Sequence, residues 1–329
     1  MIELKQLKLI PKNTLIYYHS DELEVYRKRN SIIIKKDDIT QVNQIKEISD
    51  FRTVYTENEV FILFGGKQLL RIGKDHSITP IKFNPIVTKV KSIGNNIVFG
   101  WMLGRLFHFS VCNPYTGERI YQTKSFQSKT LSYKFTNSNI YSLMGNSNII
   151  CYDYECKQIW QRFEHQYTVP GLAIYKNKLV YCSSNQIKIT NGKEIETIQI
   201  PIVTIDKIED IIGNKLYCIC GKKKNICCYD LQQKQLLYEI RGNQNILNLK
   251  IVKMKHNNQE IDALIYTTEN MINIANLKKG TLVISQPIVK IKEIVEEKDI
   301  ILRTYSGGSF IFSENQEVEN ESNSSLITI

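Results

Sequence analysis

The chain is predicted to be all-β, a β-propeller of four-stranded antiparallel blades. Three observations point there. A strand–turn–strand–turn–strand unit recurs along the sequence, clearest in "NNIVFGWMLGRLFHFSVCNPYTGERIYQ" from Asn95, "SNIYSLMGNSNIICYDYECKQIWQRF" from Ser138 and "NKLYCICGKKKNICCYDLQQKQLLYEI" from Asn214. Strand-only repeats of roughly 40 residues are the signature of propeller blades. A second repeat, Pro-Ile-Val, opens "NPIVTKVKSI" at Asn84, "IPIVTIDKIEDI" at Ile200 and "QPIVKIKEIVEE" at Gln286, the segments that precede three of those units. Finally, 18 Tyr and 12 Phe supply strand-favouring aromatics, and only 7 Pro interrupt them.

Taken in order, the units begin at Thr14 ("TLIYYHSDELEVYRKRNSIII"), Glu59, Asn96, Asn139, Lys178, Lys215, Ile261 and Asp299. They lie 37 to 46 residues apart, a scatter expected when insertions fall in turns. Each apolar run meets a turn, for which the Gly65-Gly66 and Gly307-Gly308 pairs and Ser183-Ser184 are suited. Proline fits the first residue of a strand, where no ladder donor is needed, so the Pro-Ile-Val segments are read as inner strands. Each unit then comprises an inner strand, a two-strand core and an outer strand. Eight units argue for eight blades, with seven the alternative if the first or last is partial. The last unit lacks an outer strand before "ENQEVENESNSS"; either "SLITI" or the N-terminal "IELKQLKLI" could supply it, and the latter would close the ring. Residues 1–313 form one domain on this reading, and 314–329 an acidic tail that could end in a closing strand. Ile97, Phe99, Ile140, Ile149, Leu179, Leu216, Ile226 and Ile265 are expected between blades.

The stretches "NIICYDYECKQIW" and "LFHFSVCNPYTGERIY" resemble the repeats of quinoprotein-like propellers, whose units carry a Thr-Gly turn and a strand ending in Trp. Thr116-Gly117 and Trp160 match those hallmarks, in different units. Unit length is similar to that of WD40 propellers, although the Gly-His and Trp-Asp dipeptides are absent. The resemblance implies a degenerate WD40-like or quinoprotein-like propeller and carries over no catalytic residue.

Chemistry-bearing residues are scattered. His19, His76, His108, His165 and His256 fall in separate units without metal-ligand spacing, and no Gly-rich loop leads into a helix. Asp153 and Asp230, each after a Tyr, are expected to hydrogen-bond the turn that follows. Cys218, Cys220, Cys227 and Cys228 cluster, but alternation sends Cys227 and Cys228 to opposite faces, which argues for core packing and against a metal. No secretion signal is evident in "MIELKQLKLIPKN", and no apolar run is long enough to span a bilayer. All eight cysteines are therefore expected as reduced thiols in an intracellular protein, with no cofactor and no metal.

The net charge of +10 favours acidic partners. On the inner strands Lys89 and Lys91, Lys253 and Lys255, and Lys290 and Lys292 recur at alternate positions, so each pair is expected on one face. Convergence near the axis would focus positive potential and make these six lysines the candidate partner-binding site. Without a catalytic constellation, the expected function is a non-enzymatic scaffold binding protein partners in an intracellular complex. The alternative is a basic subunit that binds RNA or another nucleic acid beside a partner enzyme. An enzyme or small-ligand sensor would need inner-strand carboxylates or histidines converging on the channel.

Overall fold

In the computed structural model, the structure describes strand segments from 8 to 103, then 106–296 apart from 114, 117, 125–127, 129, 167, 184, 201–203, 257–258 and 289, and finally 300–304 and 309–312. Side chains are described for a few residues before His108 and for most after it, with 253–261 among the exceptions. Among the described residues the strands group into eight four-stranded antiparallel sheets. Blade A holds Thr14–His19, Leu23–Lys28, Ser31–Lys36 and Ile39–Gln44; blade B holds Arg52–Tyr55, Val60–Phe64, Gln68–Ile72 and Ile78–Lys82. Blade C holds Ile86–Ile93, Asn96–Leu103, Leu106–Cys112 and Arg119–Gln122; blade D holds Thr130–Phe135, Asn139–Met144, Asn148–Asp153 and Gln158–Phe163. Blade E holds Ala173–Tyr175, Lys178–Ser183, Gln186–Thr190 and Ile195–Gln199; blade F holds Ile205–Ile212, Lys215–Cys220, Asn225–Asp230 and Gln235–Ile240. Blade G holds Asn248–His256, Gln259–Thr267, Met271–Asn276 and Thr281–Pro287, and blade H holds Ile291–Glu296, Ile300–Thr304 and Ser309–Phe312.

The outer strand of blade H comes from the opposite end of the chain. Lys8 pairs with Ile311 and Leu9 with Phe310, so the N-terminal segment, of the two candidates in the sequence, completes this sheet. First strands of successive blades contact one another from A to B, B to C, E to F, F to G and G to H, and the first strand of A contacts blade H. Apolar clusters join C to D and D to E. The result is a closed ring in which the first strands lie innermost. Closure removes the open ladders that would otherwise invite edge-to-edge association.

The middle strands explain why the core is so apolar. Asn139–Met144, Lys178–Ser183 and Lys215–Cys220 are buried at every position after the first. Both faces of each strand are covered by neighbouring blades, so these runs read as continuous apolar stretches. Ile140, Ile149, Leu179, Leu216, Ile226 and Ile265 are buried as expected, while the side chains of Ile97 and Phe99 lie outside the described ones. The opposite-parity Tyr141, Ile150, Val180, Tyr217 and Cys227 are equally buried, so a one-residue slip would not have shown in burial.

In blades C to G the turn into the outer strand carries the repeat most sharply. The side-chain oxygen of Asp230 accepts hydrogen bonds from the Gln232 and Gln233 amides, and Asp153 accepts one from the Lys157 amide. Asn113, Asn191 and Asn276 do the same work in blades C, E and G. A short polar side chain that mimics a backbone turn is what this site requires.

The Pro-Ile-Val copies do not all open a strand. Pro287 is the last residue of its blade G strand, paired with Met271, because the chain passes from the outer strand of G into H just beyond it. Pro201 lies outside the described residues. No helix among the described residues is long and apolar enough to cross a membrane. Residues 314–329, the acidic tail of the sequence reading, lie outside the described residues.

Candidate functional site

The inner strands do bring charged groups together, but with both signs. Lys134 Nζ, on the inner strand of blade D, lies 2.8 Å from Asp210 Oδ1 on the inner strand of blade F. Lys207 Nζ lies 2.5 Å from Glu209 Oε1 on that same strand. Lys250, on the inner strand of blade G, acts electrostatically on Glu209. The Lys134–Asp210 pair bridges blades on either side of E, whose inner strand is only Ala173–Tyr175.

Local backbone explains that approach. Pro170 O accepts a hydrogen bond from the Ile208 amide at 2.9 Å, so the segment leading into blade E lies directly against the inner strand of F. Gly171 sits there at φ +109, and a Cβ on it would stand 2.1 Å from Ile208 O. Only glycine combines that conformation with that contact. Tyr175 Oη also meets Asn214 Oδ1 at 3.0 Å, tying E to F.

Burial dominates the electrostatics of this cluster. The Glu209 carboxyl is pushed above the usual carboxylate range by desolvation, and Lys207 and Lys250 pull it partly back. Lys134, Lys207 and Asp210 keep side-chain exposures of 29%, 45% and 51%, so the cluster faces water while Glu209 sits beneath it.

Of the six lysines expected to form the site, five lie on inner strands and Lys290 lies just before one. Lys89 and Lys91 lie on the inner strand of C, with a register shift between Val87 and Lys89. Lys253 and Lys255 lie on the inner strand of G, where the register sets them opposite Asp262 and Glu260. Lys292 falls at a register shift between Ile291 and Glu293 on the inner strand of H. The side chains of these five lie outside the described ones. Lys290 precedes the blade H strand instead of lying on it, and its Nζ is 3.3 Å from Glu269 Oε1. Lys290 and Lys292 therefore do not share a strand, and the spacing of two cannot assign them a common face.

A second polar cluster joins blades D and E. Tyr181 Oη donates to Glu164 Oε1 at 2.5 Å, and Lys188 Nζ lies 2.5 Å from Glu164 Oε2. Arg162 Nε is buried nearby without a hydrogen-bond partner, and its charge acts on the Tyr181 hydroxyl.

The cysteines depart from the expectation of eight free thiols. Cys220 and Cys227 are joined by a disulfide. Cys227 stands opposite Cys218 in the ladder and so shares the face of Cys218 and Cys220, all three in the core between E and F. Cys228 faces the core between F and G. Alternation thus separated Cys227 from Cys228 correctly, yet left Cys227 beside Cys220. The remaining six cysteines are free and buried, and burial raises the Cys112 thiol to about 11 and those of Cys151 and Cys156 to about 12. Such thiols are unreactive at neutral pH. Among the described residues, Cys220, Cys227 and Glu239 are the one group of three side chains whose ligand atoms lie within 4.8 Å of one another.

Neither a protein-family profile nor a curated protein matches the chain. Solved structures do. The Saccharomyces cerevisiae protein Sqt1 superposes with a TM-score of 0.67 at 11% identity, covering 94% of this chain and 98% of that one. BamB from Moraxella catarrhalis gives 0.65 at 8% identity over 93% and 99%, and the C-terminal WD40 domain of Sif2 gives 0.64 at 13% over 95% and 99%. At these identities the likeness is one of fold alone: a β-propeller spanning nearly the whole chain.

Proposed function

We propose that the protein is a non-enzymatic propeller scaffold that binds a protein segment over its inner-strand mouth. The observation carrying this reading is the mixed-sign cluster of Lys134, Lys207, Glu209, Asp210 and Lys250, drawn from three blades. A surface presenting both signs fixes the register and orientation of a peptide whose charges complement it. A phosphate backbone would instead meet Glu209 and Asp210. Fold alone hosts many functions, so the site and not the propeller supports the proposal.

Lys89, Lys91, Lys253, Lys255, Lys290 and Lys292 extend the same proposal to a wider ring of contacts. The net charge of +10 keeps a nucleic-acid role as the competing outcome. The test is purification of the tagged full chain from native extract with and without nuclease, beside a Lys134→Glu/Lys207→Glu variant. A stoichiometric protein partner that resists nuclease and is lost from the variant is expected. Absence of such a partner, or retention of nuclease-sensitive RNA with a steep salt dependence, would sink the scaffold reading.

A further inference from the structure

Blade F carries a ligand set that its ladder assembles from three adjacent strands. Cys220 ends the second strand, Cys227 lies on the third, and Glu239 stands opposite Cys227 on the outer strand. Directly opposed residues of neighbouring strands hold their Cβ atoms roughly 5 Å apart on one face, so their side-chain tips converge. Both sulfurs are fully buried, whereas the Glu239 side chain is 15% exposed and opens the cluster toward the blade rim. The carboxylate is oriented from both sides: Asn225 Nδ2 donates to Oε1 at 2.7 Å and Arg241 Nε to Oε2 at 3.0 Å.

We propose that, once the Cys220–Cys227 disulfide is reduced, the two sulfurs and the Glu239 carboxylate bind a thiophilic divalent cation of the zinc or cadmium class. Disulfide and metal are then mutually exclusive occupants of the same two sulfurs, and the site is gated by redox state. Two thiolates select a soft or borderline cation over calcium or magnesium, which demand six or more oxygens. Zinc–sulfur bonds of about 2.3 Å and zinc–oxygen bonds of about 2.1 Å place tetrahedral ligands roughly 3.5 Å apart. Side-chain rotation within the 4.8 Å cluster supplies that adjustment.

The chemistry balances. A dithiol reductant passes two electrons to the sulfur–sulfur bond and becomes a disulfide itself, leaving two thiols on the chain. Each thiol releases its proton to solvent as the metal binds. Two thiolates and one carboxylate exceed the charge of a divalent cation by one, and the Arg241 guanidinium beside Glu239 offsets the excess. Asn225 and Arg241 thereby serve as the outer hydrogen bonds that hold a ligating carboxylate in place.

The experiment uses the full chain, reduced with a phosphine and desalted without oxygen, then titrated with cadmium chloride while the thiolate-to-cadmium charge-transfer absorption is followed. After denaturation, the oxidised chain should titrate six thiols and the reduced chain eight, which establishes the starting states. The reduced chain is expected to bind one cadmium with an absorption band, and the oxidised chain none. Cys220→Ser and Cys227→Ser should each lose the band with unchanged circular dichroism, while Glu239→Gln should weaken binding at least about tenfold. Zinc should displace cadmium. Should Cys227→Ser unfold, Cys220→Ala serves in its place, since Cys220 ends its strand. No band in the reduced chain, equal binding by the oxidised chain, or full binding by folded Cys220→Ser would each overturn the proposal.

Discussion

Removing Glu164 should weaken the seam between blades D and E more than any neighbouring surface change. Its carboxylate is 7% exposed and holds both Lys188, itself 15% exposed, and the Tyr181 hydroxyl. Glu164→Ala strands a buried ammonium, and breaking a buried pair from one side costs about 3–5 kcal/mol. The Tyr181 hydroxyl loses its acceptor as well, which adds about 1 kcal/mol. Lys188→Met should cost less, about 2 kcal/mol, because the nearby Arg162, whose Nε has no partner, can turn to the orphaned carboxylate. In the double variant no stranded charge remains at the pair, so its loss should fall below the sum of the singles by about 2 kcal/mol or more. Urea unfolding of the four proteins measures the cycle, with Trp160 fluorescence reporting on this seam because Gly192 packs against the Trp160 ring. A Glu164→Ala loss under about 1 kcal/mol, or strict additivity, would refute the reasoning.

Three further outcomes are expected. Gly171→Ala should cost at least about 3 kcal/mol in urea unfolding, since φ +109 is strained for any L side chain and the new Cβ would overlap Ile208 O at 2.1 Å; a neutral result would mean the segment can move away. Glu209 is raised by burial, so its neutral form favours the fold. The stability it supplies is full below the unfolded carboxyl value of about 4.3 and is lost as pH rises through the higher folded value. Unfolding measured from acid to neutral pH should therefore show Glu209→Gln gaining on the parent as pH rises, and parallel curves would contradict this. Ile226→Asp should lose at least about 4 kcal/mol or fail to fold, because Ile226 is fully buried between F and G; a soluble variant with native circular dichroism and an unshifted unfolding midpoint would show that seam to be loose.

The fold was legible because a propeller repeats its local chemistry. Blades C to G each rewrite an apolar strand pair and an Asx turn, and Asp153 and Asp230 perform the hydrogen bonding their position suggested. The same local logic placed Lys89, Lys91, Lys253 and Lys255 on inner strands, although it misread Pro287, which ends an outer strand. It stopped at the pairing of those charges: Lys253 and Lys255 could be seen as neighbours, but not that Asp262 and Glu260 stand opposite them.

Sequence by itself determined the all-β class, the blade unit, the strands that fill the core and the two segments able to complete the last sheet. Those features depend on alternation, turn residues and apolar runs, all of which act over a few neighbouring positions. Tertiary structure alone decided that Lys8 and Leu9 pair with blade H, that Lys134 reaches Asp210 past a short blade E, and that Cys220 bonds Cys227 beside Glu239. Register shifts at Val87–Lys89, Ile205–Lys207 and Ile291–Glu293 break the two-residue alternation on the strands that line the axis. A bulge displaces every later side chain to the other face, and where it forms depends on how neighbouring blades pack, which no local spacing encodes.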